Sequence, residues 1–309
     1  MAILFKSDPE DTRGWAAELA RRLPGVEIRI WPEIGDRAEI EFCVGWAFPP
    51  GSLAGFPNLR GLQSLGAGVD HVFRDADLPE HLPIARIVDP YMTEDMTQWV
   101  MLNVLRFHKQ DPDYRRLQAE GRWHELPPPS WRDRRVGVMG LGELGGHALA
   151  RLRHFGYPLA GWSRTAKPIE GVETFAGEDG LKPFLARTDI VVVLLPLTPA
   201  TENLLDRRCL SWLPRGAYVI NAGRGRLIVD EDLLALLDSD HLAGAALDVF
   251  RQEPLEPSHP FWRHPKVVVT PHVSALTRAE TAAPQIVENY RRALAGEPLL
   301  HLVDRHRHY

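Results

Sequence analysis

The stretch Val136-Gly-Val-Met139, followed by Gly140-Leu-Gly142-Glu143-Leu144-Gly145, decides the fold. An apolar strand that runs straight into a G-x-G-x-x-G and then a helical pattern is the context a dinucleotide-binding fingerprint requires. Gly140 permits the tight turn, Gly142 lets the backbone approach a pyrophosphate, and Gly145 lets the helix pack close to the strand. The free N–H groups at the helix start, on Glu143, Leu144 and Gly145, then face an anion.

Working outward, further apolar runs follow at Pro158–Trp162, Ile190–Leu195, Ala217–Ile220, Gly244–Leu247 and Val267–Thr270, alternating with helical patterns such as Glu143–Phe155. That alternation predicts a doubly wound parallel sheet. Before the fingerprint, Ala2–Phe5, Val26–Trp31, Phe42–Trp46, Leu59–Leu65 and Ile84–Val88 are too apolar for a one-sided sheet and suit a second parallel sheet covered on both faces. Helices are expected around Asp11–Leu23, Glu94–Gln110 and Thr277–Leu294. The second of these carries two apolar rows, Trp99/Leu102/Leu105 and Val100/Val104/Phe107, which predicts burial on two sides. Asp111 reads as a cap with Pro112 at the first helical position, and Leu126-Pro-Pro-Pro-Ser130 reads as a linker.

Composition bounds the function. A chain of 309 residues suggests two domains. Hydrophobic residues at 44% and charged residues at 25% exclude a disordered chain, a collagen or a coiled coil. The 36 basic against 41 acidic residues give a net charge of −5, which argues against a nucleic-acid binder. The 26 prolines suggest many turns and no long uninterrupted helix. Cys43 and Cys209 sit in apolar contexts with no Cys/His cluster, so they read as buried thiols, with no metal site. The N-terminus lacks signal-peptide features, and the longest apolar run, Ile190–Leu195, is far below a membrane span. A cytoplasmic protein is expected.

Where an NAD-specific chain would end its second strand in a carboxylate, this one reads Ser163-Arg164-Thr165-Ala166-Lys167. A hydroxyl, a guanidinium and an ammonium suit a ribose 2′-phosphate, so NADP(H) is expected ahead of NAD(H). Three more segments lie beyond strand carboxyl ends, where ligands bind in open parallel sheets: Asn221-Ala222-Gly223-Arg224-Gly225, Asp248-Val-Phe-Arg-Gln-Glu253-Pro-Leu, and Pro271-His272. Singly, each has an ordinary reading as a surface arginine, a loop carboxylate or a turn histidine. Behind a dinucleotide fingerprint they are far more specific.

These segments, with Leu65-Gly-Ala-Gly-Val-Asp70, Trp162–Thr165, Leu247–Phe250 and the tail Val303–Tyr309, resemble the D-isomer-specific 2-hydroxyacid dehydrogenases over essentially the whole chain. More narrowly, they are similar to the glyoxylate/hydroxypyruvate reductase A subgroup. The resemblance implies an α/β fold of two doubly wound parallel-sheet domains. A flavodoxin-like substrate domain (1–100 plus 277–309) would hold an inserted Rossmann dinucleotide-binding domain (101–276), with the active site in the cleft and a homodimer as the assembly.

It also implies roles. Arg224, Glu253 and His272 are the catalytic set. Arg224 clamps the carboxylate of a 2-oxo acid, the backbone N–H groups of Ala67 and Gly68 add a second contact, and Trp46 shapes a small pocket. His272 donates a proton to the developing alkoxide, and Glu253 orients the imidazole and favours its charged form. Pro196, Leu197, Ala222 and Gly223 line the nicotinamide side, and Asp248 contacts the carboxamide. Gly223 departs from common members, which carry other residues there. The implied reaction is NADPH-dependent reduction of glyoxylate to glycolate and of hydroxypyruvate to D-glycerate. Two other readings stay open: a dehydrogenase for a bulkier 2-keto acid, formate or phosphite, and a non-catalytic, dinucleotide-sensing corepressor-like protein. The intact Arg/Glu/His set argues against the latter.

Overall fold

The computed structural model describes residues 1–7 and 12–309; Asp11, expected to open the first helix, lies outside them. The chain divides into two compact units, Met1–Met92 with Thr277–Tyr309, and Thr93–Leu276.

The first unit is built on five parallel strands: β1 (Ala2–Lys6), β2 (Glu27–Ile30), β3 (Ile40–Gly45), β4 (Gly61–Ser64) and β5 (Ile84–Ala85). Their order, β2-β1-β3-β4-β5, is the flavodoxin-like arrangement. Helix α1 (Thr12–Arg22) buries Trp15 and Leu19. The C-terminal tail docks here: Val303 is buried in the core with Leu62 and Ile84, and its N–H donates to Ile84 O at 2.8 Å. Arg305 Nη1 donates to Leu82 O at 2.9 Å, and His308 stacks on Phe73.

The second unit contains α2 (Pro90–His108, from residue 93 onward), α3 (Asp111–Ala119), α4 (Glu143–Leu152), α5 (Gly177–Ala186), α6 (Arg207–Leu210) and α7 (Asp230–Asp238). Its seven parallel strands are β6 (Val136–Met139), β7 (Leu159–Ser163), β8 (Glu173–Ala176), β9 (Ile190–Val193), β10 (Ala217–Asn221), β11 (Leu242–Leu247) and β12 (Val267–Val269). The order β12-β11-β10-β9-β6-β7-β8 reverses between β6 and β9, the doubly wound switch point beside the glycine-rich turn.

Several expectations need correction. Residues 93–100, grouped on sequence with the first domain, pack in the second unit, where Met96 and Val100 join the core of β6 and α4. On α2 only one of the two apolar rows is fully buried: Val100, Val104 and Phe107 are, whereas Leu102 of the other row is 53% exposed. Helix α3 is capped by Gln110 in the left-handed region without a side-chain bond; Asp111 lies inside the helix and bonds Arg115 instead. Strand β8 was absent from the sequence reading, because Glu-Thr-Phe-Ala is a half-exposed edge rather than an apolar run.

The prolines do not prevent long helices. Helix α2 starts on Pro90 and runs 19 residues. Helix α8 (Ala279–Ala295) keeps Pro284 inside it. That proline lacks the N–H that would bond Glu280 O, and Arg22 Nη2 of α1 reaches this carbonyl at 3.4 Å.

Cys43 and Cys209 are buried and free; burial pushes the Cys209 thiol up to about 11 and that of Cys43 higher still. Among the described residues no helix is long and apolar enough to cross a membrane, and no His/Cys/Asp/Glu cluster could hold a metal.

Candidate active site

Three loops at the carboxyl ends of β10, β11 and β12 carry Arg224, Glu253 and His272, all within the second unit. Asp248, directly after β11, is fully buried. Its carboxylate accepts the N–H groups of Val273 (3.0 Å) and Ser274 (2.9 Å) and the Thr270 hydroxyl. Its own carbonyl accepts the His272 N–H at 2.7 Å. This clamp holds His272 at φ +54°, a left-handed conformation that a non-glycine residue adopts at a cost. A carboxylate has about four acceptor positions. Three are used inside the loop, so Asp248 first positions His272, a role sequence reasoning missed.

The clamp presents the His272 ring to Glu253. Nδ1 lies 2.7 Å from Glu253 Oε2, and Glu253 Oε1 accepts the Phe250 N–H at 2.9 Å. Burial alone would raise the pKa of this half-buried carboxyl. The His272 ring, the Phe250 N–H and the nearby Arg224 charge outweigh it and hold Glu253 below the usual range. An ionised carboxylate only accepts, so the proton of this bond sits on Nδ1 and Nε2 is turned away from Glu253.

Arg224 is carried by a turn that Asn221 locks. Asn221, 1% exposed, donates to Arg224 O at 3.0 Å and accepts the Gly223 N–H at 3.1 Å. Arg224 Nη1 donates to Gly223 O. At Gly225 a Cβ would lie 1.9 Å from the Phe250 carbonyl carbon, so only glycine lets this turn press against the loop that carries Glu253. Asn221 is the second residue missed; its place just before the arginine was the available signal.

The glycine-rich turn has the shape its reading requires. Gly140 has φ +100°, and a Cβ on Gly145 would lie 1.8 Å from Gly140 O. Nothing lies within 4 Å of a Cβ built on Gly142, the N-cap of α4. The backbone there, with the starting N–H groups of Glu143, Leu144 and Gly145, is open to an anion, so the residues fit a dinucleotide pyrophosphate. Beyond β7, Ser163 Oγ donates to Thr165 O at 2.8 Å. The Lys167 ammonium bonds Leu141 O, which brings it over the fingerprint. Arg164 and Thr165 are exposed. After β9, Pro196 O accepts the Thr201 hydroxyl at 2.7 Å, and Leu197 packs half-buried against the core. Ala222 is buried, and Gly223 sits tight against Leu195 O.

The first unit carries the other predicted residues. Trp46 follows β3, and Ala67 and Gly68 follow β4 in a half-exposed turn. A Cβ on Gly66 would lie 2.4 Å from Trp46 Cζ3, so the indole packs against this turn.

Residues 100–274 match the family model described as D-isomer specific 2-hydroxyacid dehydrogenase, NAD binding domain. The glyoxylate/hydroxypyruvate reductase A of Yersinia enterocolitica serotype O:8 / biotype 1B is 37% identical over 309 residues, covering 98% of each chain. The structure of a D-isomer specific 2-hydroxyacid dehydrogenase from Xanthobacter autotrophicus Py2 in complex with NADPH and MES superposes with a TM-score of 0.95 at 44% identity. It covers 100% of this chain and 99% of that one. The NADPH-dependent glyoxylate/hydroxypyruvate reductase of Sinorhizobium meliloti in complex with NADP and sulfate gives 0.93 at 38% identity, again over 100% and 99%. With the family model spanning more than half of the chain and these relatives spanning nearly all of it, the chain belongs to the D-isomer specific 2-hydroxyacid dehydrogenase family.

Proposed function

We propose that this enzyme reduces small 2-oxo acids, glyoxylate and hydroxypyruvate, with NADPH. The observation that carries the reading is the 2.7 Å bond between His272 Nδ1 and Glu253 Oε2, with the Arg224 charge acting on the same carboxylate. The glyoxylate/hydroxypyruvate reductases among its relatives, and the related structures solved with NADPH or NADP, support the substrate and cofactor.

The cofactor, when bound, supplies a hydride. Gly142 and the start of α4 bind its pyrophosphate, and Ser163, Arg164, Thr165 and Lys167 take a ribose phosphate. Arg224 holds the acid's carboxylate with its planar fork, and the Ala67 and Gly68 N–H groups bind the same group. His272 holds a proton on Nε2 and delivers it to the alkoxide oxygen as negative charge develops there. Glu253 fixes the ring and offsets the imidazolium charge, and Asp248 keeps the loop in place. The half-exposed Leu102, beside Trp99 and Leu105 on α2, supports a homodimer, and two buried free thiols suit the cytoplasm.

Following NADPH absorbance with glyoxylate, hydroxypyruvate and pyruvate, and repeating the panel with NADH, tests the reading. Turnover of the two small acids with NADPH ahead of NADH is the expected result. Turnover of none of them would overturn it.

A further inference from the structure

Trp46 is held unusually firmly for a half-buried aromatic. Its backbone is tied to β1 on both sides: its N–H donates to Lys6 O at 2.9 Å, and its carbonyl accepts Lys6 Nζ at 3.3 Å. Its indole is trapped between two surfaces. One is the Gly66 backbone, where a side chain would collide with the indole. The other is the imidazole of His71, with ring centroids 3.9 Å apart and planes tilted by 31°. His71 is 8% exposed, and its Nε2 faces Ser64 Oγ at 3.5 Å. That hydroxyl also accepts the Gly66 N–H at 3.2 Å. His71 therefore backs the indole and reaches the same hydroxyl that fixes the start of the Gly66–Gly68 turn.

We propose that His71 is a positioning residue that pins the Trp46 indole and thereby selects short 2-oxo acids over longer ones. This rests on the reading above, in which Trp46, Ala67 and Gly68 face the acid. The turn has other anchors: Gly66 O accepts the Ile87 N–H at 3.0 Å, and Leu65 O accepts the Thr277 hydroxyl at 2.6 Å. Loss of the imidazole frees the indole to swing while the turn's N–H groups keep their place. A pocket wall that yields admits extra methylenes, each of which changes discrimination by about tenfold or more.

The test compares wild type with His71→Ala and His71→Phe on glyoxylate, 2-oxobutyrate, 2-oxohexanoate and phenylpyruvate. His71→Ala is expected to raise the KM for glyoxylate several-fold with kcat held. It should also raise the ratio of kcat/KM for 2-oxohexanoate over glyoxylate by about tenfold. His71→Phe, which keeps a ring against the indole, is expected to retain the wild-type ratio. If His71→Ala does not fold, His71→Leu fills the space without a ring face and takes its place. An unchanged ratio, an equal fall in kcat for every acid, or His71→Phe behaving like His71→Ala would each overturn the proposal. With wild type active, those outcomes leave the substrate reading standing; wild type inactive on every acid overturns both.

Discussion

Glu253 Oε2 lies 2.7 Å from His272 Nδ1, while its sister oxygen takes the Phe250 N–H at 2.9 Å. One carboxylate thus joins the ring to the loop after β11, so its two oxygens are separable by mutation. Glu253→Gln keeps a partner for the Phe250 N–H but removes the negative charge beside the ring. We expect kcat to fall by about 10²-fold with little change in thermal stability. The pH profile carries a sign. Glu253 has a lowered pKa, so its pairing is complete above the ordinary carboxylate range and is lost as pH falls through the lowered value. The acid limb of wild-type kcat/KM should therefore lie below the usual glutamate pKa and vanish in Glu253→Gln; an unchanged limb would remove Glu253 from this role.

His272→Asn removes the imidazole to which the proposed function gives proton donation and leaves the backbone clamp to Asp248. A rate loss of about 10²–10⁴-fold is expected, with NADPH binding retained in a fluorescence titration. Full turnover by this variant would refute the assignment.

In the proposed function Arg164 and Lys167 hold the ribose phosphate, while the Lys167 ammonium also bonds Leu141 O. The double variant Arg164→Ala/Lys167→Ala should raise the KM for NADPH by about 10–100-fold, the worth of one or two charge-assisted bonds, and leave the KM for NADH nearly unchanged. Equal losses with both cofactors would point to a structural defect.

Asp230, the first residue of α7, is shifted the opposite way to Glu253. Burial pushes its carboxyl up to about 6, against the opposing pull of Arg251. A folded pKa above the unfolded one means that the native state holds the proton more tightly. Stability therefore declines as pH rises from about 4 to about 6, by no more than about 3 kcal/mol. Asp230→Asn should raise the melting temperature more at pH ~8 than at pH ~5. An equal effect at both would show that the carboxyl carries no such penalty.

What was readable in the sequence follows from the physics of each element. Among the described residues, eleven of the twelve strands overlap stretches that read as strands, most plainly the buried apolar β1, β6, β9 and β10. The exception, β8, is a half-exposed edge like β2 but lacks the isoleucines that mark β2. The placement of Arg224, Glu253 and His272 on loops that follow strands was legible, and the structure brings His272 and Glu253 into contact. Asn221 bonds groups two and three residues on, whereas Asp248 was not legible as a brace, since its partners lie 22–26 residues away and only folding brings them near. Helix α8 is a similar case: the bond that accommodates Pro284 comes from Arg22, far away in the chain.

The first unit is discontinuous: it begins with β1 and closes only when Val303 settles against Ile84. On the ribosome, where domains generally fold as units with N-terminal ones first, this order is reversed. The complete stretch 93–276 can emerge and fold while β1–β5 still lack α8 and their last buried valine. The strands β1–β5 precede the second unit in the chain, yet α8 and Val303 follow it, so a truncation before residue 277 would leave the second unit attached to an unfinished first one. Such a nascent chain would expose the apolar strands of β1–β5 to chaperones and proteases until α8 and Val303 follow.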